Sequence, residues 1–89
     1  MPRRERWAVV LAILEAIDHH RSTYGENARI THVATTANLP YDRLMEYLRE
    51  LGRAGLITEE HMPRLTEKGA ALLRHYRQWN EVLSRFGLG

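Results

Sequence analysis

The 89 residues predict one small, mainly α-helical domain with a single short β-hairpin placed between its third and fourth helices. Three observations carry this. Residues 38–57, NLPYDRLMEYLRELGRAGLI, read as an amphipathic helix that closes at Gly55 and hands the chain to the β-prone Leu56 and Ile57. Apolar residues recur at helical spacing on both sides of it, in 4–19 and 67–86. Two β-compatible triplets, Leu56, Ile57, Thr58 and Arg64, Leu65, Thr66, flank a turn at 59–63.

Each element has its own physical argument. In the first helix, 4–19, Trp7, Val10, Leu11, Leu14 and Ile17 form the repeating face, and Glu5 complements the positive helix end. The polar stretch HHRSTYGEN reads as a connection, with Asn27 as the cap of a second helix over 28–36 that buries Ile30, Val33, Ala34 and Ala37. Leu39 is expected to plug the corner before the third helix. Pro40 fits that helix's first position, where its missing amide hydrogen costs nothing and its fixed φ is already helical. Leu44, Tyr47, Leu48 and Leu51 make the third helix's buried stripe, and Asp42, Arg43, Glu46, Arg49, Glu50 and Arg53 its ionic side. Thr66 is the expected cap of the last helix. Gly69, in the first turn of that helix, costs roughly 1 kcal/mol relative to alanine, which points to another backbone pressed against it. Helix, helix, helix, hairpin and long helix is the order of a winged helix-turn-helix.

Composition narrows the function classes. A chain of this length removes about 60–65% of its unfolded surface from water on folding, so self-association would add needed burial. There is no cysteine, hence no disulfide framework, thiolate nucleophile or cysteine zinc site. The apolar stretch 7–17 is shorter than the roughly 20 residues that span a bilayer. A soluble protein of the cytoplasm, associated with the nucleoid, is the expectation. The net charge of +2 permits nucleic-acid binding without requiring it. The most basic region holds Arg64, Lys68, Arg74 and Arg77 against Glu67 alone, and Arg3, Arg4 and Arg6 form a second cluster. Ser22 and Ser84 lie in no nucleophile motif and there is no glycine-rich phosphate loop, so no enzymatic activity and no cofactor are expected. The five histidines show no metal-ligand spacing and read as surface groups, so no metal and no small-molecule ligand is expected either.

In the last helix Leu72, Tyr76, Trp79, Leu83 and Phe86 alternate by four and three, the spacing of a coiled-coil seam, whereas Ala70 and Leu73 point elsewhere. Tyr76 and Trp79 are expected to pack back on the first helix over the opening turns. Beyond them, about 20 residues of helix reach roughly 30 Å, further than so small a body can cover. A homodimer through this helix follows, with residues 1–69 as the winged helix-turn-helix domain and 70–89 as a C-terminal helix, part core and part dimer interface.

The segments ANLPY, LMEYLRELGRAGLI and RLTEKGAALLRHY, about half the chain, resemble the small archaeal winged-helix DNA-binding proteins of the chromatin-associated type, whose long C-terminal helices pair as an antiparallel coiled coil. The resemblance implies duplex DNA as partner and an architectural or regulatory role. The chain departs from that pattern at Pro40, where the family usually has serine, and at the wing tip, where Glu59 and Glu60 replace a glycine-containing turn and would repel phosphate.

For DNA, the residues singled out are Tyr41, Arg43, Glu46 and Arg49 near the start of the third helix, the end that enters a major groove. Arg43 is the leading candidate for a bidentate guanine or phosphate contact. Thr31 and Thr35, with Thr36 beside them, are placed to hold phosphates from the second helix, and Arg29, His32 and Arg64 to clamp the backbone. Two alternatives stand beside this: a ladder in which Glu46 and Glu50 neutralise Arg43 and Arg49 along the helix, and a protein-docking module that does not bind DNA.

Overall fold

Among the described residues four α-helices follow the expected order: α1 (Arg6–Tyr24), α2 (Ile30–Ala37), α3 (Tyr41–Arg53) and α4 (Glu67–Arg85), with a 3-10 turn, Gly25–Asn27, between α1 and α2. The computed structural model describes residues 5–88; Arg3 and Arg4 of the N-terminal basic cluster lie outside them. One apolar core joins Val9, Ile13, Leu14 and Ile17 of α1 to Ile30 and Val33 of α2, Leu44, Tyr47, Leu48 and Leu51 of α3, Ile57, and Leu73 of α4. The stripes expected for α2 and α3 are the ones buried.

The phase of α1 is different from the expected one. Its buried face is Val9, Ile13, Leu14, Ala16, Ile17 and His20, while Trp7 is 61% exposed. Apolar residues occupy every side of WAVVLAILEAI, so periodicity alone leaves the rotation of this helix undetermined. α1 also runs to Tyr24, past the expected end at His19. The extra turn holds because His20 is buried and Tyr24, four residues on, stacks against its ring.

The helix junctions are set by backbone geometry more than by side-chain caps. Asn27 does not cap α2: it lies in the 3-10 turn, the Ala28 amide donates to the Gly25 carbonyl at 3.2 Å, and Arg29 takes the N-cap position without a side-chain bond. α2 closes through Asn38, whose φ of 57° is left-handed, with Asn38 and Leu39 amides donating to Thr35 and Ala34 carbonyls at 3.1 and 3.0 Å. Leu39 lies half-buried against the core, the expected corner plug. Pro40 sits one position earlier than expected, as N-cap rather than first helical residue, its carbonyl accepting from the Leu44 amide at 3.0 Å. α3 stops in the same way as α2, with Gly55 at φ 77° and the Leu56 amide bonded to the Leu51 carbonyl at 3.0 Å.

The expected two-stranded hairpin contracts to one antiparallel bridge, Ile57 with Leu65; no strand forms among the described residues. Backbone bonds Thr58 to Arg64 (2.9 Å) and Thr66 to Leu56 (3.1 Å) frame the bridge. Beyond them, side chains replace the ladder. The Thr58 hydroxyl accepts from the Arg64 amide at 2.9 Å and donates to the Glu60 carboxylate at 2.7 Å. Pro63 has no amide hydrogen to offer a second strand. Arg21 of α1 ties the loop down, donating to the carbonyls of Met62 and of Pro63 (3.3 Å), and to Gly25 (3.3 Å) at its own helix end.

Thr66 caps α4 as expected, accepting from the Gly69 amide at 3.2 Å. Gly69 is where the backbones meet: a Cβ there would overlap the Leu56 carbonyl oxygen and lie 3.0 Å from its carbon. Leu73 is buried and Tyr76 half-buried against the core, so Tyr76 serves its own domain. Trp79 does not pack back as expected; it is 62% exposed, with Leu72, Val82, Phe86 (74%) and Leu88 also exposed and Leu83 half-buried.

Candidate nucleic-acid interface

Burying Leu44, Tyr47, Leu48 and Leu51 turns the ionic side of α3 to solvent. Arg43 and Arg49, six residues apart, lie about 120° from each other around the helix axis and so occupy different flanks. Arg43 shares a groove with Arg6, Glu46, Tyr47 and Glu50. That flank is joined to α1, since Arg6 pairs with Glu50 and its guanidinium lies 5.5 Å from the Tyr47 ring centroid. Arg49 faces away from that flank, into a groove between α3 and the 58–63 loop that also takes in Met45, Arg53, Glu59, Glu60 and His61.

The second helix presents the remaining candidates next to the Arg49 flank. Thr31, Thr35, Asn38, Pro40 and Tyr41 line a shallow groove where α2 meets the start of α3, and Tyr41 is 44% exposed there. Thr35 donates its hydroxyl to the Thr31 carbonyl at 3.1 Å, leaving its oxygen lone pairs outward. Arg29 and Thr31 join His61 and Met62 around a further depression between the α2 N-terminus and the loop. Arg29, Thr31, Thr35, Tyr41 and Arg49 thus form one continuous surface. Arg43 lies off it, and Thr36 is turned toward α1.

Intramolecular partners absorb much of the basic region. Arg64 reaches Glu26 at 3.2 Å and Glu60 at 4.0 Å, Arg77 pairs with Asp18 at 3.1 Å, and Lys68 donates to the Ala54 carbonyl at the end of α3 at 2.8 Å. The ladder weighed for α3 does not form: among the described residues Arg43 and Arg49 make no ion pair, and neither do Arg29, Arg53 and Arg74. The Thr58 hydroxyl bond, aided by Arg64 and Arg21, holds the Glu60 carboxyl below its ordinary pKa, so Glu60 keeps its negative charge in mild acid.

One group was missed. His20, expected on the surface, is 7% exposed and bonded through Nε2 to Thr36 Oγ1 at 2.7 Å. Tyr24 stacks on it at 5.7 Å and the His19 and His32 rings lie 5.3 and 5.9 Å away, so His32 belongs to a ring cluster at the α1–α2 seam. Neighbouring histidines in sequence gave no sign of this, because α1's rotation was undetermined. Burial chiefly, then the His19 and His32 rings, lower the His20 pKa, against a weaker opposing effect of the His32 peptide. Among the described residues no three histidine or acidic side chains are grouped to hold a metal, and no helix is long and apolar enough to cross a membrane.

A two-helix corner followed by a tied loop and a long last helix defines a class, and the comparison with protein families agrees: the winged helix-turn-helix family matches residues 3–84. The chain belongs to that family. Membership supports a DNA-binding, regulatory type of protein with duplex DNA as its partner. No curated protein matches the chain.

Proposed function

We propose that this protein binds duplex DNA with modest sequence specificity, as an architectural or regulatory factor of the cytoplasmic nucleoid, without enzymatic activity. The observation that carries it is the continuous surface from α2 across α3 to the loop, on which Arg29, Arg49 and Arg53 have no ion-pair partner among the described residues. Unpaired guanidiniums beside hydroxyls and a tyrosine suit phosphate and groove contacts. Arg49 and Arg53 are central and Arg43 lateral, so the first two carry most of the affinity. The exposed Trp79, Val82 and Phe86 support pairing of α4 with a second copy as an antiparallel coiled coil, residues 1–69 being the DNA-facing unit and 70–89 the connector. Two subunits that each neutralise about four phosphates give a log–log salt slope near −7.

Fluorescence anisotropy with a random duplex at several salt concentrations tests this. Arg49→Ala with Arg53→Ala is expected to weaken binding and reduce the slope from about −7 to about −4; an unchanged slope would remove these residues from the interface. The acidic loop tip, Glu59 and Glu60, favours a second reading, docking onto a basic protein surface. Salt-insensitive or absent DNA retardation would select it.

A further inference from the structure

His20 is buried between α1 and α2 with one ring nitrogen bonded: Nε2 lies 2.7 Å from Thr36 Oγ1, while Nδ1 is buried with no hydrogen-bond partner among the described residues. An unsatisfied buried N–H costs more than an unsatisfied ring lone pair, so the single proton of the neutral ring belongs on Nε2, donated to Thr36, with Nδ1 unprotonated. Around it stand His19 and Tyr24 from α1 and His32 from α2, and among the described residues it forms no ion pair with a carboxylate. A proton arriving at Nδ1 would find no acceptor and would put a cation beside two other histidines.

We infer that His20 is a proton-sensitive clamp that holds the helix-turn-helix, α2 with α3, to α1, and that proton uptake expels the ring and releases α2. A released ring titrates near the ordinary value of about 6.5, whereas the clamped one resists the proton. In the window below that value the open form binds a proton that the closed form does not. The clamp is therefore at full strength above about pH 6.5 and weakens as pH falls, by up to about tenfold in the opening equilibrium per pH unit. Its consequence for DNA rests on the function proposed above. Thr31 and Thr35 ride on α2, so loosening it lowers affinity in acid.

The test is amide hydrogen exchange of Ile30–Ala37 in the full chain at about pH 6.5 and about pH 5.5, corrected for the intrinsic pH dependence of exchange, with an NMR titration of the histidine rings. Protection in α2 is expected to fall up to about tenfold across that unit, and His20 to titrate below the ordinary histidine value. His20→Gln, whose side-chain amide can still donate to Thr36 but does not titrate, should keep protection constant. Equal loss in the native chain and the variant, or His20 titrating at the ordinary histidine value, overturns the clamp. If the variant fails to fold, the ring titration of the native chain decides alone. A DNA titration at the same two pH values forms a separate arm: absence of binding at both would overturn the DNA reading and leave the exchange result valid.

Discussion

A methyl group on residue 69 would have to share space with the Leu56 carbonyl oxygen, and both partners of that clash are backbone. Neither can rotate away. Gly69→Ala is therefore expected to cost about 3 kcal/mol or more and to lower the melting temperature by at least about 10 °C, measured by circular dichroism. Thr66→Ala, which leaves the Gly69 amide without its acceptor, should cost about 1 kcal/mol. The two positions share one junction, so their effects should not add in the double variant. Both residues were legible in the sequence, because a cap and an ill-placed helix glycine are local signals. His20 was not, since its burial depends on how α1 rotates against α2, and nothing within HHRSTY records that.

At the scale of elements, the corner between α2 and α3 is set by Asn38, a non-glycine residue in left-handed conformation. Asn38→Ala should cost about 1 kcal/mol, because alanine tolerates the left-handed region less well than asparagine; urea unfolding checks this. Helix order, the stripes of α2 and α3, and the Leu39 plug followed from sequence, since each rests on a clear period or a cap. Two features did not. Uniformly apolar α1 gave no phase, and the hairpin was overestimated because strand propensity at Leu56 and Ile57 says nothing of whether Pro63 lets a partner strand continue. For the candidate site the sequence put Thr31 and Thr35 on the second helix and Tyr41, Arg43 and Arg49 on the third, where the structure has them. It could not distinguish Arg49 from Arg43, a difference set by which flank of α3 the loop and α2 adjoin.

For the whole molecule, the proposed pairing of α4 rests on Trp79, Val82 and Phe86, which are exposed beyond Leu73 and Tyr76, the residues of that helix that reach the core. Trp79→Ala combined with Phe86→Ala is expected to halve the solution mass measured by light scattering while leaving the far-ultraviolet spectrum unchanged, because neither ring supports its own core. A native chain already at the mass of one subunit would overturn the proposed pairing, and a dimer mass unaltered in the variant would remove these two rings from it. The Arg21 side chain, finally, makes the loop part of the trunk. With the Met62 and Pro63 carbonyls held from α1, the segment that faces Arg49 has little ordering entropy left to lose when a partner arrives. Arg21→Lys, a single point charge where a fork now spans two carbonyls, should turn that segment into the first place a protease cuts.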